Sequence, residues 1–215
     1  MGDSAARLID LSHPLCDGMP VYPGDDPVRI QQTRTVEHDG YTYFRLETGM
    51  HAGTHLDAPL HMVSGGVPIS GLPLETFTGR GCLLDVRGQP VIEYKPEYVQ
   101  LVHPGDIVLL WTDHSRLFGT EEYFAQHPVV SDALAEFFAA RGIKMLGMDL
   151  PSPDRAPFGV HRRLLGVGIP LLENLANLDA LQGEKSFEVT AFPLKVDVEG
   201  CPVRVVARVM PNALL

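Results

Sequence analysis

The sequence predicts a mixed α/β fold with a mixed β-sheet, and two regions carry this prediction. A helix over Ser131–Arg141 is followed at once by a strand over Met145–Asp149, which is the order found in α/β units. Two C-terminal strands, Phe187–Val196 and Val203–Met210, are instead expected to pair antiparallel, with Glu199-Gly200 as the turn between them. A fold that is only helical or only β is therefore not expected.

Seven short runs are predicted strands because they are rich in apolar or β-branched residues and are bounded by turn formers. In chain order they are Arg7–Leu11, Tyr41–Met50, Gly81–Val86, Ile107–Thr112, Met145–Asp149, Phe187–Val196 and Val203–Met210. The 18 Pro and 21 Gly are spread throughout, which indicates many turns rather than one hinge. We find no internal repeat and no linker, so the 215 residues are expected to form a single domain, 1–215.

The clearest helix is Ser131–Arg141. Ser131 can cap it, and Gly142 can end it. The apolar side chains recur with helical spacing, which predicts one buried face; they are Ala133, Leu134, Phe137 and Phe138. Shorter helices are predicted at Lys95–Gln100, Glu121–Gln126 and Arg163–Leu165.

Composition and charge exclude several classes of partner. The formal net charge is −10, from 17 basic and 27 acidic residues, which argues against nucleic acid or an anionic membrane as partner. No apolar run approaches the roughly 18 residues of a membrane span, and Met1–Asp10 lacks the pattern of a secretory signal. The odd number of cysteines (Cys16, Cys82 and Cys201) predicts buried thiols rather than disulfides, and hence a reducing cytoplasm.

One segment, His51–His61, carries the chemistry. His51, His55, Asp57 and His61 occupy positions of one parity, so an extended chain would project them from one face. Imidazole and carboxylate are ligands that zinc and similar divalent metals prefer. A straight strand would put His51 and His55 roughly 13 Å apart, so the backbone must bend between them.

The bend is expected at Gly53, because glycine reaches positive φ freely. A helix is the poorer interpretation of the segment, since Gly53 weakens it and Pro59 blocks an interior turn. Four of the nine histidines lie in polar or Pro-adjacent turns and are expected to be solvated: His38, His103, His114 and His127.

The segment resembles the motif His-x-Gly-Thr-His-x-Asp-x-Pro-x-His of the Putative cyclase family, which includes bacterial kynurenine formamidases and isatin hydrolases. Every fixed position of the motif is met. Similar stretches run over His161–Leu175 and, near the start, over Asp10–Leu15 and Met19–Asp25. The resemblance covers the chain from about residue 8 to about residue 209. It implies a swivelling β/β/α-type domain and a homo-oligomer, either a dimer or a tetramer.

The resemblance also implies the site residues. His51, His55 and Asp57 would hold one ion, Asp57 and Glu173 would bridge, and His161 would hold a second. Zinc is expected, with manganese as the alternative, and the isatin-hydrolysing branch uses a single manganese, so the number of ions stays open. His61 matches the general acid/base position of the family, and the competing interpretation makes it another ligand.

Two further regions are expected near the site. Tyr22, in a turn rich in Pro and Gly, matches a tryptophan that stacks on the aryl ring of the substrate in the formamidases, and its flat ring can do the same. Asp149 and Asp154 follow a predicted strand, and both are expected to play a structural role as turn or hydrogen-bond acceptors behind the site.

The expected activity is metal-dependent hydrolysis of an amide-type C–N bond, as in an arylformamidase that converts N-formylkynurenine to kynurenine and formate. Metal-activated water, with its pKa lowered to roughly 7, would attack the carbonyl, and His61 would carry the proton to the leaving nitrogen. The substrate would be a small aryl amide or cyclic amide. The alternatives are hydrolysis of a cyclic amide, as by isatin hydrolase, a metal-dependent cyclase or dehydratase, and a silent binding protein that keeps the fold.

Overall fold

The computed structural model describes residues 6–210. Met1–Asp10 is not expected to be a secretory signal, and residues 1–5 of that segment lie outside the described residues. Its strands are β1 (Arg7–Asp10), β2 (Arg29–Arg34), β3 (Tyr43–Glu47), β4 (His55–Asp57), β5 (Thr78–Asp85), β6 (Val91–Ile92), β7 (Ile107–Trp111), β8 (Val129–Val130), β9 (Met145–Met148), β10 (Leu171–Glu173), β11 (Phe187–Thr190), β12 (Gly200–Pro202) and β13 (Val206–Val209). Its α-helices are α1 (Val36–Asp39), α2 (Tyr98–Leu101), α3 (Glu121–Ala125), α4 (Asp132–Arg141) and α5 (Gly159–Gly166). Single 3₁₀ turns lie at Pro59–His61, Ile69–Gly71, Leu74–Phe77, His114–Leu117 and Leu178–Leu181.

Nine of the strands form one mixed sheet, in the order β1-β13-β11-β5-β7-β9-β10-β4-β12. The four central strands β5, β7, β9 and β10 run parallel, and the strands on either side of them pair antiparallel. Two small sheets join β2 to β3 and β6 to β8. The mixed α/β prediction is confirmed.

The central strands are buried on both faces. In β7, Ile107, Leu109 and Trp111 belong to one apolar cluster, whereas Val108 and Leu110 belong to another. This division follows from the period of two along a strand. Leu134 and Phe138 of α4 pack into the second cluster, together with Leu164 and Leu165 of α5.

The α/β unit agrees with its prediction. Ser131 caps α4, since its side chain accepts a hydrogen bond from the Leu134 amide at 3.2 Å, and Gly142 ends the helix in the left-handed region at φ 66°. Three predicted helices shift their bounds. The largest change is at Arg163–Leu165, which is the end of the longer helix α5.

The C-terminal pairing is confirmed, but its turn is not. β11 and β13 pair antiparallel, from Phe187 opposite Val209 to Thr190 opposite Val206. Glu199-Gly200 is not the turn between them, because Gly200 begins β12, which pairs with β4 instead. The predicted strand Phe187–Val196 accordingly ends at Thr190.

Several expectations on single residues are wrong. Cys201 is buried and Cys82 is half-buried, but Cys16 is exposed, because it lies in the loop after β1.

Of the four histidines expected to be solvated, His38 and His103 are exposed as expected, whereas the other two are not. His127 is 2% exposed and satisfies its Nδ1 on the Pro128 carbonyl at 2.9 Å, and His114 is half-buried with its Nε2 at 2.8 Å from the Tyr123 carbonyl oxygen.

Candidate metal centre

The bend predicted in the histidine segment lies at Gly53, which has φ 60°. His51 precedes the bend, and β4 begins at His55. His55 and Asp57 therefore share one face of β4, while Leu56 between them is fully buried in the core. The alternation stops at Asp57, because His61 is presented by the 3₁₀ turn Pro59–His61 rather than by a strand.

The sheet register brings the second segment to the first. Glu173 of β10 lies directly opposite His55 of β4 in an antiparallel pair, so the two side chains share a face. On the other side of β4, Gly200 of β12 lies opposite Asp57. A Cβ on Gly200 would lie 2.9 Å from Cε1 of His51, so glycine makes room for that imidazole.

The carboxylates of Asp57 and Glu173 lie between the imidazoles. Asp57 Oδ1 is 2.9 Å from His51 Nδ1 and 3.3 Å from His55 Nε2. Glu173 Oε2 is 3.5 Å from His55 Nε2. The second oxygen of each carboxylate faces His161 Nε2, at 3.8 Å for Asp57 and 3.3 Å for Glu173.

His61 lies beside this group and is half-buried. Its ring centroid is 4.3 Å from that of His51 and 6.0 Å from that of His161. A ring nitrogen of His61 lies within 4.8 Å of donor atoms of both His51 and Asp57, so proximity alone leaves the interpretation as a ligand open.

The buried group fits a divalent cation, and we call it the donor set; it consists of His51, His55, Asp57, His161 and Glu173. Among the described residues, three buried polar atoms of the group make no well-directed hydrogen bond, although each has a nitrogen or oxygen of the group within 2.9–3.5 Å; they are His55 Nε2, Asp57 Oδ1 and Glu173 Oε1. Unsatisfied buried polar atoms are costly, and a shared cation would satisfy all three. The structure therefore brings together all six residues predicted for catalysis and metal binding.

Burial and charge oppose each other at the histidines. Burial acts to lower the pKa of His51 and His55, but the Asp57 carboxylate outweighs it and raises both. The pKa of Asp57 is correspondingly held well below its usual range, since its two histidine neighbours outweigh the effect of burial. At His161, the neighbouring carboxylates of Asp154 and Glu173 overcome burial and raise the pKa to about 10. The carboxylates therefore favour a proton or a metal cation at the ring nitrogens of His51, His55 and His161.

His61 differs from the other histidines because burial prevails and lowers its pKa. Its neighbours are mixed, since Asp57 favours the charged form while His51 and His161 oppose it. His61 is therefore a neutral imidazole near pH 7, the form that can accept a proton.

Asp154 and Asp149 do not belong to the donor set, but each accepts hydrogen bonds close to it. Asp154 binds Nδ1 of His161, and Asp149 accepts from the Thr112 amide and hydroxyl and from the Asp113 amide at 2.7–2.9 Å. Asp149 thus secures the end of β7, which agrees with the structural role expected for it.

A cavity of about 280 Å³ opens above the donor set. Its walls are largely apolar and aromatic, and they include Tyr22, Phe118, Phe124 and Phe158. Tyr22 is half-buried, with its ring edge-on to Phe124 at a centroid distance of 6.0 Å. The three phenylalanines were not predicted, because nothing in their local sequence distinguishes them from core residues.

Two further residues near the donor set were also missed. Asn174 directly follows Glu173 and lines the cavity, and this adjacency was a usable signal. Glu199, predicted only as a turn residue, places Oε1 3.4 Å from Nε2 of His51.

Comparison with known proteins gives consistent matches. A family model described as Putative cyclase matches residues 9–155, a range that ends before His161. The kynurenine formamidase of Bacillus cereus is 30% identical over 209 residues, which cover 94% of this chain and 98% of that protein. Isatin hydrolase A from Labrenzia aggregata has a TM-score of 0.84 and 26% identity, over 96% of this chain and 94% of that one. A potential metal-dependent hydrolase with cyclase activity has a TM-score of 0.80 and 28% identity, over 97% of this chain and 100% of that one.

Proposed function

The chain belongs to the Putative cyclase family, and we propose that it is a metal-dependent hydrolase of an amide-type C–N bond that acts on aryl formamides. The observation that carries the proposal is the buried group of His55, Asp57 and Glu173, whose unpartnered atoms face one another. The B. cereus relative, a kynurenine formamidase, supports the choice of an aryl formamide such as N-formylkynurenine.

We propose that His51, His55 and Asp57 hold one ion and that His161 holds a second, with Asp57 and Glu173 as bridges. The opposed oxygens of both carboxylates support this arrangement, since each carboxylate faces an imidazole on either side. Two anionic bridges would also offset the repulsion between two buried dications. Zinc suits the nitrogen and oxygen donors, and manganese is the alternative. The bound metal supplies Lewis acidity that activates water and polarises a carbonyl.

His61 is the proposed general acid and base. Its neutral imidazole accepts the proton of the attacking water at a ring nitrogen and then donates it to the departing amide nitrogen. The aromatic wall containing Tyr22 orients the aryl group of the substrate by stacking or edge contact. An aryl amine leaves more readily than an alkyl amine, which favours anilide substrates.

The test is a panel of C–N substrates assayed with zinc-loaded and with manganese-loaded protein. N-Formylkynurenine and simple formanilides should be hydrolysed, and isatin should be turned over more slowly. No turnover of any C–N substrate would overturn the proposal and would favour a cyclase or dehydratase, or a silent binding protein.

A second candidate is hydrolysis of a cyclic aryl amide. It is supported by the likeness of the whole chain to isatin hydrolase A, at a TM-score of 0.84. Preference for isatin over formanilides in the same panel would establish this second candidate instead.

We also propose a homo-oligomer that is built through the β2–β3 hairpin. Tyr43, Phe44 and Leu46 of β3 are 53–55% exposed, and they cover both faces of the strand. Among the described residues, β2 and β3 pair only with each other, and such a two-stranded ribbon is marginal by itself. A second copy would cover these faces in a self-complementary contact. Light scattering should show a dimer or tetramer that Phe44→Glu weakens, and a wild-type monomer would contradict this.

The remaining expectations concern the whole chain. We propose one domain over 1–215, supported by the pairing of β1 with β13 at opposite ends of the sequence. In the described part of the chain, no helix combines the length and apolar character needed to cross a bilayer.

We propose a cytoplasmic location, because the three cysteines are free thiols and free thiols are typical of a reducing compartment. The net charge of −10 supports a small molecule rather than nucleic acid as partner.

A further inference from the structure

A chain of hydrogen bonds connects a tyrosine outside the cavity to one of the candidate ligands. Tyr123 Oη donates to Asn174 Oδ1 at 2.7 Å, and Asn174 Nδ2 donates to the Gly53 carbonyl at 2.9 Å. The same carbonyl oxygen lies 2.8 Å from Nδ1 of His55. Tyr123, Asn174 and His55 are all buried, at 0%, 4% and 2% exposure.

The direction of every bond in this chain follows from chemistry. The Gly53 carbonyl can only accept, so both the Asn174 amide nitrogen and the His55 Nδ1 must bring a proton to it. These two nitrogens lie 3.4 Å apart and use the two lone pairs of one oxygen. The Asn174 Oδ1 atom is then left facing Tyr123, whose hydroxyl must donate to it.

This direction determines which nitrogen of His55 faces the metal centre. With the proton held on Nδ1, the lone pair of the neutral ring is on Nε2. Nε2 is the atom that lies 3.3 Å from Asp57 Oδ1 and 3.5 Å from Glu173 Oε2. The Gly53 carbonyl therefore sets the ligating tautomer, and Asn174 fixes the carbonyl.

A second contact joins the segment that contains Gly53 and His55 to the segment that contains Glu173 and Asn174. Thr54 Oγ1 donates to the Asn174 carbonyl at 2.5 Å and accepts from the His13 amide at 2.9 Å. Asn174 adopts φ 55°, a left-handed conformation that asparagine tolerates better than most residues. Asn174 is thus tied to both residues that precede His55, while it directly follows Glu173.

We infer that Tyr123 and Asn174 are positioning residues that set the His55 tautomer and hold the segment of His55 in register with that of Glu173. This inference rests on the metal centre of the proposed function. In this role both residues act through the Gly53 carbonyl, and Asn174 also lines the cavity. Groups that orient metal ligands in this way are typically worth about 10–100-fold in metal affinity.

The test measures zinc affinity of the full-length apoprotein by competition with a fluorescent chelator. Tyr123→Phe removes one hydroxyl and leaves the ring among its neighbours His114, Phe118 and Phe124, whose centroids lie 5.1–5.2 Å away. Asn174→Gly removes the amide but keeps the left-handed backbone and its carbonyl. Each variant should raise the zinc Kd by about 10-fold or more.

Tyr98→Phe is the matched control. Tyr98 is also buried, at 4% exposure, but among the described residues its hydroxyl has no hydrogen-bond partner, and it packs in the apolar cluster under α4. Its zinc Kd should equal that of the wild type. Long-range ¹H–¹⁵N spectra of the apoprotein, recorded at alkaline pH where the His55 ring is neutral, should show one His55 tautomer in the wild type and in Tyr98→Phe, and a mixture in the other two variants.

The possible outcomes separate the inference from the function on which it rests. If the wild type binds zinc and Tyr123→Phe and Asn174→Gly bind it equally well, the positioning role is wrong and the metal centre stands. If all three variants lose affinity alike, the effect is general destabilisation and the inference is again wrong. If the wild type binds neither zinc nor manganese, the proposed function fails together with the inference. If Tyr123→Phe does not fold, the zinc Kd of Asn174→Gly is compared with that of Tyr98→Phe. Equal values would show that the positioning role is wrong.

Discussion

The Asp154 carboxylate holds the imidazole of His161 from behind, with Oδ1 2.5 Å from Nδ1. Its other oxygen accepts from the backbone amides of Val160 at 2.7 Å and His161 at 3.3 Å, in the first turn of α5. One side chain therefore caps the helix and orients the ring, so that Nε2 of His161 faces Glu173 and Asp57.

Asp154→Asn is expected to weaken metal binding without unfolding the protein. The amide can still accept from the helix N-terminus, but it no longer supports the His161 ring with a charge. Metal affinity should fall about 10–100-fold by chelator competition. Asp106→Asn is the control, since Asp106 is also buried but pairs with Arg80 away from the site. Equal losses of metal affinity in the two variants would argue against the orienting role.

His61→Ala is expected to keep its metal and lose turnover. The general acid/base contribution of a positioned histidine is typically ~10²–10⁴-fold, and kcat should fall by that factor. Metal content is measured on the same sample by mass spectrometry. A variant that comes out metal-free would instead make His61 a ligand, as its proximity to His51 and Asp57 allows.

Tyr22 should contribute to the binding of aryl substrates through its ring. Tyr22→Ala is expected to raise KM for formanilides by about 10-fold, whereas Tyr22→Phe keeps the flat face and should change KM little. Steady-state kinetics with a formanilide and with the smaller substrate formamide give the comparison. If Tyr22→Ala affects both substrates equally, the ring does not recognise the aryl group.

The three thiols should differ in reactivity. Cys16 is exposed and should be alkylated first. Burial raises the pKa of Cys82 to about 11, so only about one in a thousand of these thiols is a thiolate at pH 8. Cys201 is buried, and burial raises its pKa as well. Peptide mapping after brief iodoacetamide treatment at pH 8 should therefore find label on Cys16, and rapid labelling of Cys201 would contradict the buried position of β12.

The local part of this architecture was accessible from the sequence because it depends on neighbouring residues. Ser131 and Gly142 bound α4 through capping chemistry that acts within one turn. Gly53 is where the histidine segment bends, since the distance from His51 to His55 requires it. The likeness to a family motif supplied His161 and Glu173, which spacing alone could not select.

The remainder depends on partners far along the chain. The role of Gly200 arises from its position opposite Asp57 across β4, and sequence patterns do not encode that register. The same holds for the bond from Tyr123 to Asn174, which spans 51 residues. The strand predicted over Tyr41–Met50 belongs to a hairpin whose other strand, Arg29–Arg34, is too polar to be recognised.

A crystal structure of protein purified in zinc, with anomalous data collected on both sides of the zinc edge, tests the two-ion centre directly. Two anomalous peaks per chain are expected, one among His51, His55 and Asp57 and one beside His161, with Asp57 and Glu173 between them. A single peak among the first three residues would contradict the two-ion arrangement. No peak near Asp57, in protein that binds zinc elsewhere or not at all, would contradict the metal centre itself.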